Sequence, residues 1–295
     1  MDVAMIRIPP RGRRLLAAAL VLPALALSPA SPDVPSDDCG PLLEKPGGGT
    51  WACSFVDEFD EARLDPDKWI TQDTARTGFR TGLTCYRGAS NVEVRSGTLL
   101  LEARHEGAML NCDNPYGVFR TPYTGGLVGT RGHFSQAYGR FEVRAKWPSS
   151  RAPGLHGAFW MFPLSPTYGR WPASGEIDIA EWWSNQPSLV LPSLHFHGRN
   201  PRTDTGWDCR VADVSTFHVY AVEWLPTEMR FLIDGETCFV RSWTPAPPLV
   251  APQPFDHPFS MILNLGVGTA RGINAVTAAT ALPSTLTVDY AKAWR

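Results

Sequence analysis

The sequence predicts an all-β sandwich or barrel, and three observations carry that expectation. Short runs of alternating apolar and polar residues recur along the chain, separated by turns rich in Gly, Pro and Asp. Beyond the N-terminal segment, no window of a dozen residues keeps the 3.6-residue period of an amphipathic helix. The 295 residues include 27 prolines and 26 glycines, enough turn formers to punctuate many short strands. The length fits one large domain or two small ones, and 43% hydrophobic residues are ample for a core. No internal repeat or second domain is visible.

Taken in order, the chain opens on a secretory pattern. Arg7, Arg11, Arg13 and Arg14 form a basic region, residues 15–27 are apolar, and Ser28-Pro29-Ala30 offers small residues for cleavage. Residues 1–30 are therefore expected as a signal peptide and the protein as secreted. The apolar run is shorter than the roughly 20 residues that span a bilayer, and no later segment is longer, so no membrane partner is expected after cleavage. Residues 31–50, rich in Pro, Ser, Asp and Gly, read as a linker or lead-in to one domain over 51–295. Strand patterns then fall at 91–94, 98–103, 139–146, 158–162, 176–182, 218–224, 229–233, 260–265 and 286–290.

Composition narrows the function. Net charge is −2 with no long basic run, which argues against nucleic acid as a partner. Eleven tryptophans suit both a sandwich core and a sugar-binding cleft. Six cysteines in an exported chain are expected to pair. Fifteen connectivities are open, and proximity favours Cys39–Cys53, Cys85–Cys112 and Cys209–Cys238. The short C-x-x-C spacing of a zinc site is absent.

The most informative stretch is Glu176-Ile177-Asp178-Ile179-Ala180-Glu181. It places three carboxylates on an otherwise apolar strand near Trp160, Trp171, Trp182 and Trp183. Self-repulsion and desolvation disfavour such a cluster, which points to chemistry on a glycosidic bond. Glu176 and Asp178 share a face by strand alternation, whereas the odd offset puts Glu181 on the other face. One extra residue in a β-bulge restores it. The two glutamate Cα atoms are then roughly 13 Å apart, and inward-leaning side chains approach the roughly 5–5.5 Å of a retaining glycosidase. Asp178, being shorter, stays back and hydrogen-bonds a neighbour.

From about Phe55 onward the chain resembles glycoside hydrolase family 16, especially its laminarinase-like endo-β-1,3-glucanases. The resemblance rests on Phe55-Val56-Asp57-Glu58-Phe59, Thr124-Gly125-Gly126-Leu127-Val128, Tyr138-Gly139-Arg140-Phe141-Glu142-Val143-Arg144 and Gly157-Ala158-Phe159-Trp160-Met161. Trp171-Pro172-Ala173-Ser174-Gly175 then runs into the acidic stretch, followed by 218–224, 260–265 and Val288-Asp289-Tyr290. It implies a single-domain β-jelly-roll sandwich of two curved antiparallel sheets, concanavalin A-like, with the cleft on the concave face. It also implies Glu176 as nucleophile, Glu181 as acid/base and Asp178 as assisting carboxylate. For double displacement Glu176 is then ionised, while Glu181 holds a proton near neutral pH. Trp160 and Trp171 match cleft tryptophans on the non-reducing side. His195 matches a histidine near Glu181 or the leaving-group side, and Asn91 and Asn264 match polar cleft positions. No cofactor is implied for catalysis. A structural calcium on the convex face is, with Glu58, Gly97 and Asp289 as ligands.

The expected function is that of a secreted, retaining endo-β-glycosidase acting on β-1,3-glucan as a monomer, with polysaccharide as its partner. Mixed-linkage glucan or galactan hydrolysis, and a non-catalytic β-glucan-binding lectin, are the alternatives. Two departures from the family pattern bear on the substrate. Gly266-Val267-Gly268-Thr269-Ala270-Arg271-Gly272 replaces a tryptophan-bearing turn, and residues 110–115 form a local insertion at Cys112.

Overall fold

The computed structural model describes residues 36–295. The expected signal peptide and the first five residues of the lead-in lie outside the described residues. β1 (Ser36–Asp37) and β2 (Gly40–Pro41) form a small ribbon. β3 (Cys53–Asp57), β4 (Ile70–Thr71), β5 (Cys85–Tyr86) and β6 (Val92–Val94) are short, with single-turn helices α1 (Thr74–Thr77) and α2 (Gly88–Asn91) among them. Longer strands follow: β7 (Leu99–Cys112), β8 (Phe119–Gly129), β9 (Gly139–Lys146), β10 (Leu155–Pro163), β11 (Glu176–Trp183) and β12 (Val190–His195). The chain closes with β13 (His218–Trp224), β14 (Met229–Ile233), β15 (Glu236–Arg241), β16 (Phe259–Val267) and β17 (Ser284–Trp294).

Hydrogen-bonded neighbours run β12-β11-β10-β16-β8-β7-β17-β9-β13-β14-β15, and every pairing on that path is antiparallel. The long β7–β8 pair joins two layers that fold onto one another. Between them Trp182 stacks on Trp147 at 5.9 Å, and Phe259 meets Trp224 edge-on at 5.2 Å. This is the jelly-roll sandwich that the sequence predicts.

Alternation then decides what faces the outside of the first layer. Leu155, Phe159 and Met161 of β10, and Phe259, Met261, Leu263, Leu265 and Val267 of β16, enter the core with Ile177 and Trp182 of β11. The opposite face therefore carries His156, Ala158 and Trp160 beside Asn264 and the three acids. The predicted bulge is present and lies within β11. Trp160 pairs with Asp178 and Phe159 with Ala180, while on the other side Asp178 pairs with Ser193 and Glu181 with Leu191. Both ladders thus gain one residue of β11 between Asp178 and Glu181, returning Glu181 to the face of Glu176.

The three favoured disulfides form, with Cα–Cα distances of 5.5, 5.8 and 5.3 Å for Cys39–Cys53, Cys85–Cys112 and Cys209–Cys238. The described part of the expected lead-in is fastened to the domain. Cys39 is buried, its carbonyl accepts from Lys292 Nζ at 3.0 Å, and Asp37 accepts from the Cys53 amide.

The two-residue strands β1, β2, β4 and β5 escape the alternation pattern, and so do four longer ones: β3, β8, β12 and β15. In β8 the run Thr124-Gly125-Gly126 reads as a turn, yet its glycines permit close packing. A Cβ on Gly126 would lie 2.3 Å from the Asn91 carbonyl oxygen, and one on Gly125 2.6 Å from that of Leu265. In β12, Pro192 argues against a strand, but β12 ends the sheet, where a missing N–H is tolerated.

Candidate active site

Glu176, Asp178 and Glu181 line one cavity of about 290 Å³, together with His156, Trp160, Trp183, His195, Asn264 and the segment Phe79–Gly82. The strand is launched by Gly175, whose φ of 85° is a left-handed conformation that favours glycine. Its close neighbours Phe255 and Phe259 leave no room for a side chain there. A larger hollow of about 450 Å³ shares Phe79 and Trp160 with the first and extends past Phe162, Arg131 and Tyr116.

Imidazoles serve two of the acids. His195 lies across the ladder from Glu176 and places Nε2 2.8 Å from Asp178 Oδ2. The sequence places His195 near Glu181 or the leaving group; in the structure it holds Asp178. Glu181 instead meets His156, Nε2 to Oε1 at 3.2 Å. The ring of His156 packs 4.2 Å from that of Trp183, its cross-strand partner.

These contacts order the proton affinities. Burial, and then the charge of Asp178, push Glu176 well above the ordinary carboxylate range, only partly opposed by the Trp171 side chain and Arg199. Burial also raises Asp178 against the hydrogen bond from His195. At Glu181 burial raises the pKa, but the His156 hydrogen bond and the neighbouring imidazoles outweigh it, leaving a net downward shift. The two directions are therefore opposite to the expectation of an ionised Glu176 and a protonated Glu181. The physical reason is burial beside the charge of Asp178 at Glu176, against an imidazole donor at Glu181.

The binding candidates separate into groups. Trp160 is buried, packs 5.1 Å from Phe79, and donates its indole N–H to Asn264 Oδ1 at 2.9 Å. Asn264 in turn donates to the Tyr86 hydroxyl at 3.0 Å, which meets Thr81 Oγ1 at 2.6 Å. Trp171 is 57% exposed at the cleft edge, 5.8 Å from the His195 ring. Asn91 does not line the cavity. Its amide donates to the Glu102 carbonyl and to Thr124 Oγ1, both at 3.0 Å, so it joins β7 to β8. His156, Phe79 and Thr81 line the cavity, and Tyr86 lies buried behind Asn264 and Thr81; none of the four is among the candidates from the sequence. For His156 the available signal was its alternation with Ala158 and Trp160.

The expected calcium ligands gather at one corner. Glu58 follows Asp57, which pairs with Ala291, and Gly97 precedes Leu99, which pairs with Val288, so both border Asp289. Their carboxylates are occupied by cations: Lys292 Nζ lies 2.6 Å from Glu58, and Arg144 lies 2.6 Å from Asp289. As they stand, these side chains form ion pairs instead of an open cage of oxygens.

Comparison with known proteins agrees with this geometry. Residues 79–292 match the family described as glycosyl hydrolases family 16. A β-glucanase from Rhodothermus marinus is 38% identical over 259 residues, covering 83% of this chain and 85% of the relative. A glucan endo-1,3-β-glucosidase A1 from Niallia circulans is 32% identical, covering 82% of this chain and 37% of the relative. The crystal structure of the laminarinase from Rhodothermus marinus superposes with a TM-score of 0.68 at 34% identity, covering 83% of this chain and 97% of that one. With the bulged acidic strand, the jelly roll and these similarities in hand, the chain belongs to glycosyl hydrolase family 16 and is a glycosidase.

Proposed function

We propose that the protein is a secreted, retaining endo-β-glycosidase that hydrolyses β-1,3-glucan by double displacement. The observation that carries this reading is the bulge in β11, which turns Glu176 and Glu181 to one face of one cavity. Glu176 attacks the anomeric carbon while Glu181 gives its proton to the departing sugar oxygen; water then cleaves the glycosyl ester as Glu181 takes the water proton. Asp178, held by His195, raises the basicity of Glu176 through its charge and so favours attack on the anomeric carbon. The first step uses the form in which Glu176 is ionised and Glu181 holds the proton. Trp160, fixed by Asn264, and Trp171 offer apolar faces to sugar rings.

The sugar is assigned from the relatives, which are named for β-glucan and 1,3-β-glucan cleavage. Export is supported by the basic and apolar N-terminal sequence and by three disulfides. The proposal includes action as a monomer, which size-exclusion chromatography tests directly. Incubation with laminarin is expected to release new reducing ends that vanish in Glu176→Gln. Tight binding without products would instead favour a lectin, and preferential cleavage of mixed-linkage glucan or galactan would replace the substrate. A structural calcium at Glu58, Gly97 and Asp289 is a separate part of the proposal, supported by strand register alone. It exchanges the Lys292 and Arg144 contacts for the ion; a melting midpoint unmoved by EDTA and by added calcium removes it.

A further inference from the structure

Among the cavity residues, His156 is the one whose chemistry neither the acidic stretch nor the binding candidates account for. Its side chain is buried, its Nε2 faces Glu181 Oε1 at 3.2 Å, and its Nδ1 is buried with no hydrogen-bond partner. That orphaned nitrogen decides the tautomer. An imidazolium, or a neutral ring protonated at Nδ1, would leave an unpaired N–H in a dry place; a ring protonated at Nε2 leaves only a lone pair. His156 therefore donates through Nε2–H, and a donor aimed at a carboxylate favours its ionised form.

We propose that His156 is a positioning residue for Glu181 which supports its ionised, water-activating form, and so acts chiefly on the second half of the double displacement. This rests on the reading given under Proposed function. In that half, water oxygen bonds to the anomeric carbon, the ester bond to Glu176 breaks with its electron pair returning to the carboxylate, and the water proton passes to Glu181. The N–H at Oε1, together with the Trp183 side chain, holds the carboxylate as it receives that proton.

The charged neighbours of the pair do not duplicate this role. From β11 they are Asp178 and Glu176; from β12, His195, itself bound to Asp178; and beyond it Arg199, whose charge acts on Glu176. Asn264 of β16 and the lining residues Phe79, Thr81 and Gly82 carry no charge, the intervening Arg80 lies over the Phe119 ring, and burial holds the Tyr86 phenol far above its ordinary value, hence neutral.

The test uses the full chain and a β-1,3-glucan oligosaccharide carrying a 2,4-dinitrophenyl leaving group, which departs without protonation. His156→Phe is expected to keep the rapid first release of dinitrophenolate while slowing steady turnover about 10-fold to 100-fold, the range for losing a hydrogen bond to a charged group. With laminarin, whose leaving sugar needs a proton, the acidic limb of its kcat/KM profile moves to higher pH, because burial at Glu181, the lower of the two acids, is no longer opposed. His156→Gln, which keeps an N–H donor, recovers most of the rate. An equal fall in both phases with an unmoved pH limb, or a His156→Gln as slow as His156→Phe, overturns the proposal. If His156→Phe fails to fold, His156→Met takes its place under the same criteria. A wild type that releases no dinitrophenolate and no sugar from laminarin overturns the double-displacement reading together with this one.

Discussion

Asn264→Leu isolates the link between the core and the sugar-binding face. Asn264 is fully buried on β16 and bridges two groups, accepting from the Trp160 indole at 2.9 Å and donating to the Tyr86 hydroxyl at 3.0 Å. Leucine has the same branched four-atom skeleton and is no smaller, so the change removes hydrogen bonds without opening a cavity. Two neutral hydrogen bonds contribute about 1 kcal/mol each, and the orphaned indole N–H adds about 1 kcal/mol more at the low end of its range. Tyr86 keeps its contact with Thr81 and adds no further cost. The sum is about 3 kcal/mol, which for a domain of this size lowers the melting midpoint by roughly 6–12 °C. Differential scanning calorimetry measures the shift, and laminarin kinetics should show KM rising more than kcat falls, because Trp160 loses its fixed orientation. A midpoint within about 2 °C of wild type would refute the reading of this bridge as a buried connection that stabilises the fold.

Other perturbations report on separate parts of the molecule. Asp178→Asn removes the charge that helps raise Glu176, the higher of the two acids, so the basic limb of the kcat/KM profile should move to lower pH while kcat falls; an upward move contradicts the electrostatic assignment. Arg140 is buried between Glu142 at 2.6 Å and Glu223 at 2.9 Å, and Arg140→Met strands both carboxylates. Urea unfolding should show a loss of about 3–5 kcal/mol. Replacing Cys85 and Cys112 by Ala opens a bridge of sequence separation 27, for which chain entropy gives a loss of about 3–4 kcal/mol by the same measurement. Gly126→Ala should fold poorly or not at all, judged by circular dichroism, because its Cβ meets the Asn91 backbone oxygen.

The legible parts of the fold and site were those fixed by local periodicity. The offset from Glu176 to Glu181 is odd, so a strand with both acids on one face requires an extra residue, and the ladders on both sides of β11 contain it. Ranges such as 139–146, 218–224 and 229–233 coincide with β9, β13 and β14, because alternation is clean where one face meets the core. β8 and β12 escaped because their Gly and Pro are accommodated by neighbours that lie far away in sequence. The order of proton affinities was not legible either. It depends on His156 reaching Glu181 from β10 and His195 reaching Asp178 from β12, and neither approach follows from the spacing of the acids. Asn91 shows the opposite error: a motif position marked it for the cleft, while its amide serves the β7–β8 junction.

The central claim is that the bulge in β11 sets Glu176 and Glu181 for double displacement with retention. Proton NMR of the first products from a β-1,3-glucan oligosaccharide, recorded before mutarotation, tests it most directly. The account predicts that new reducing ends appear first as the β-anomer and relax towards equilibrium. Initial appearance of the α-anomer would contradict it and remove Glu176 from the role of nucleophile.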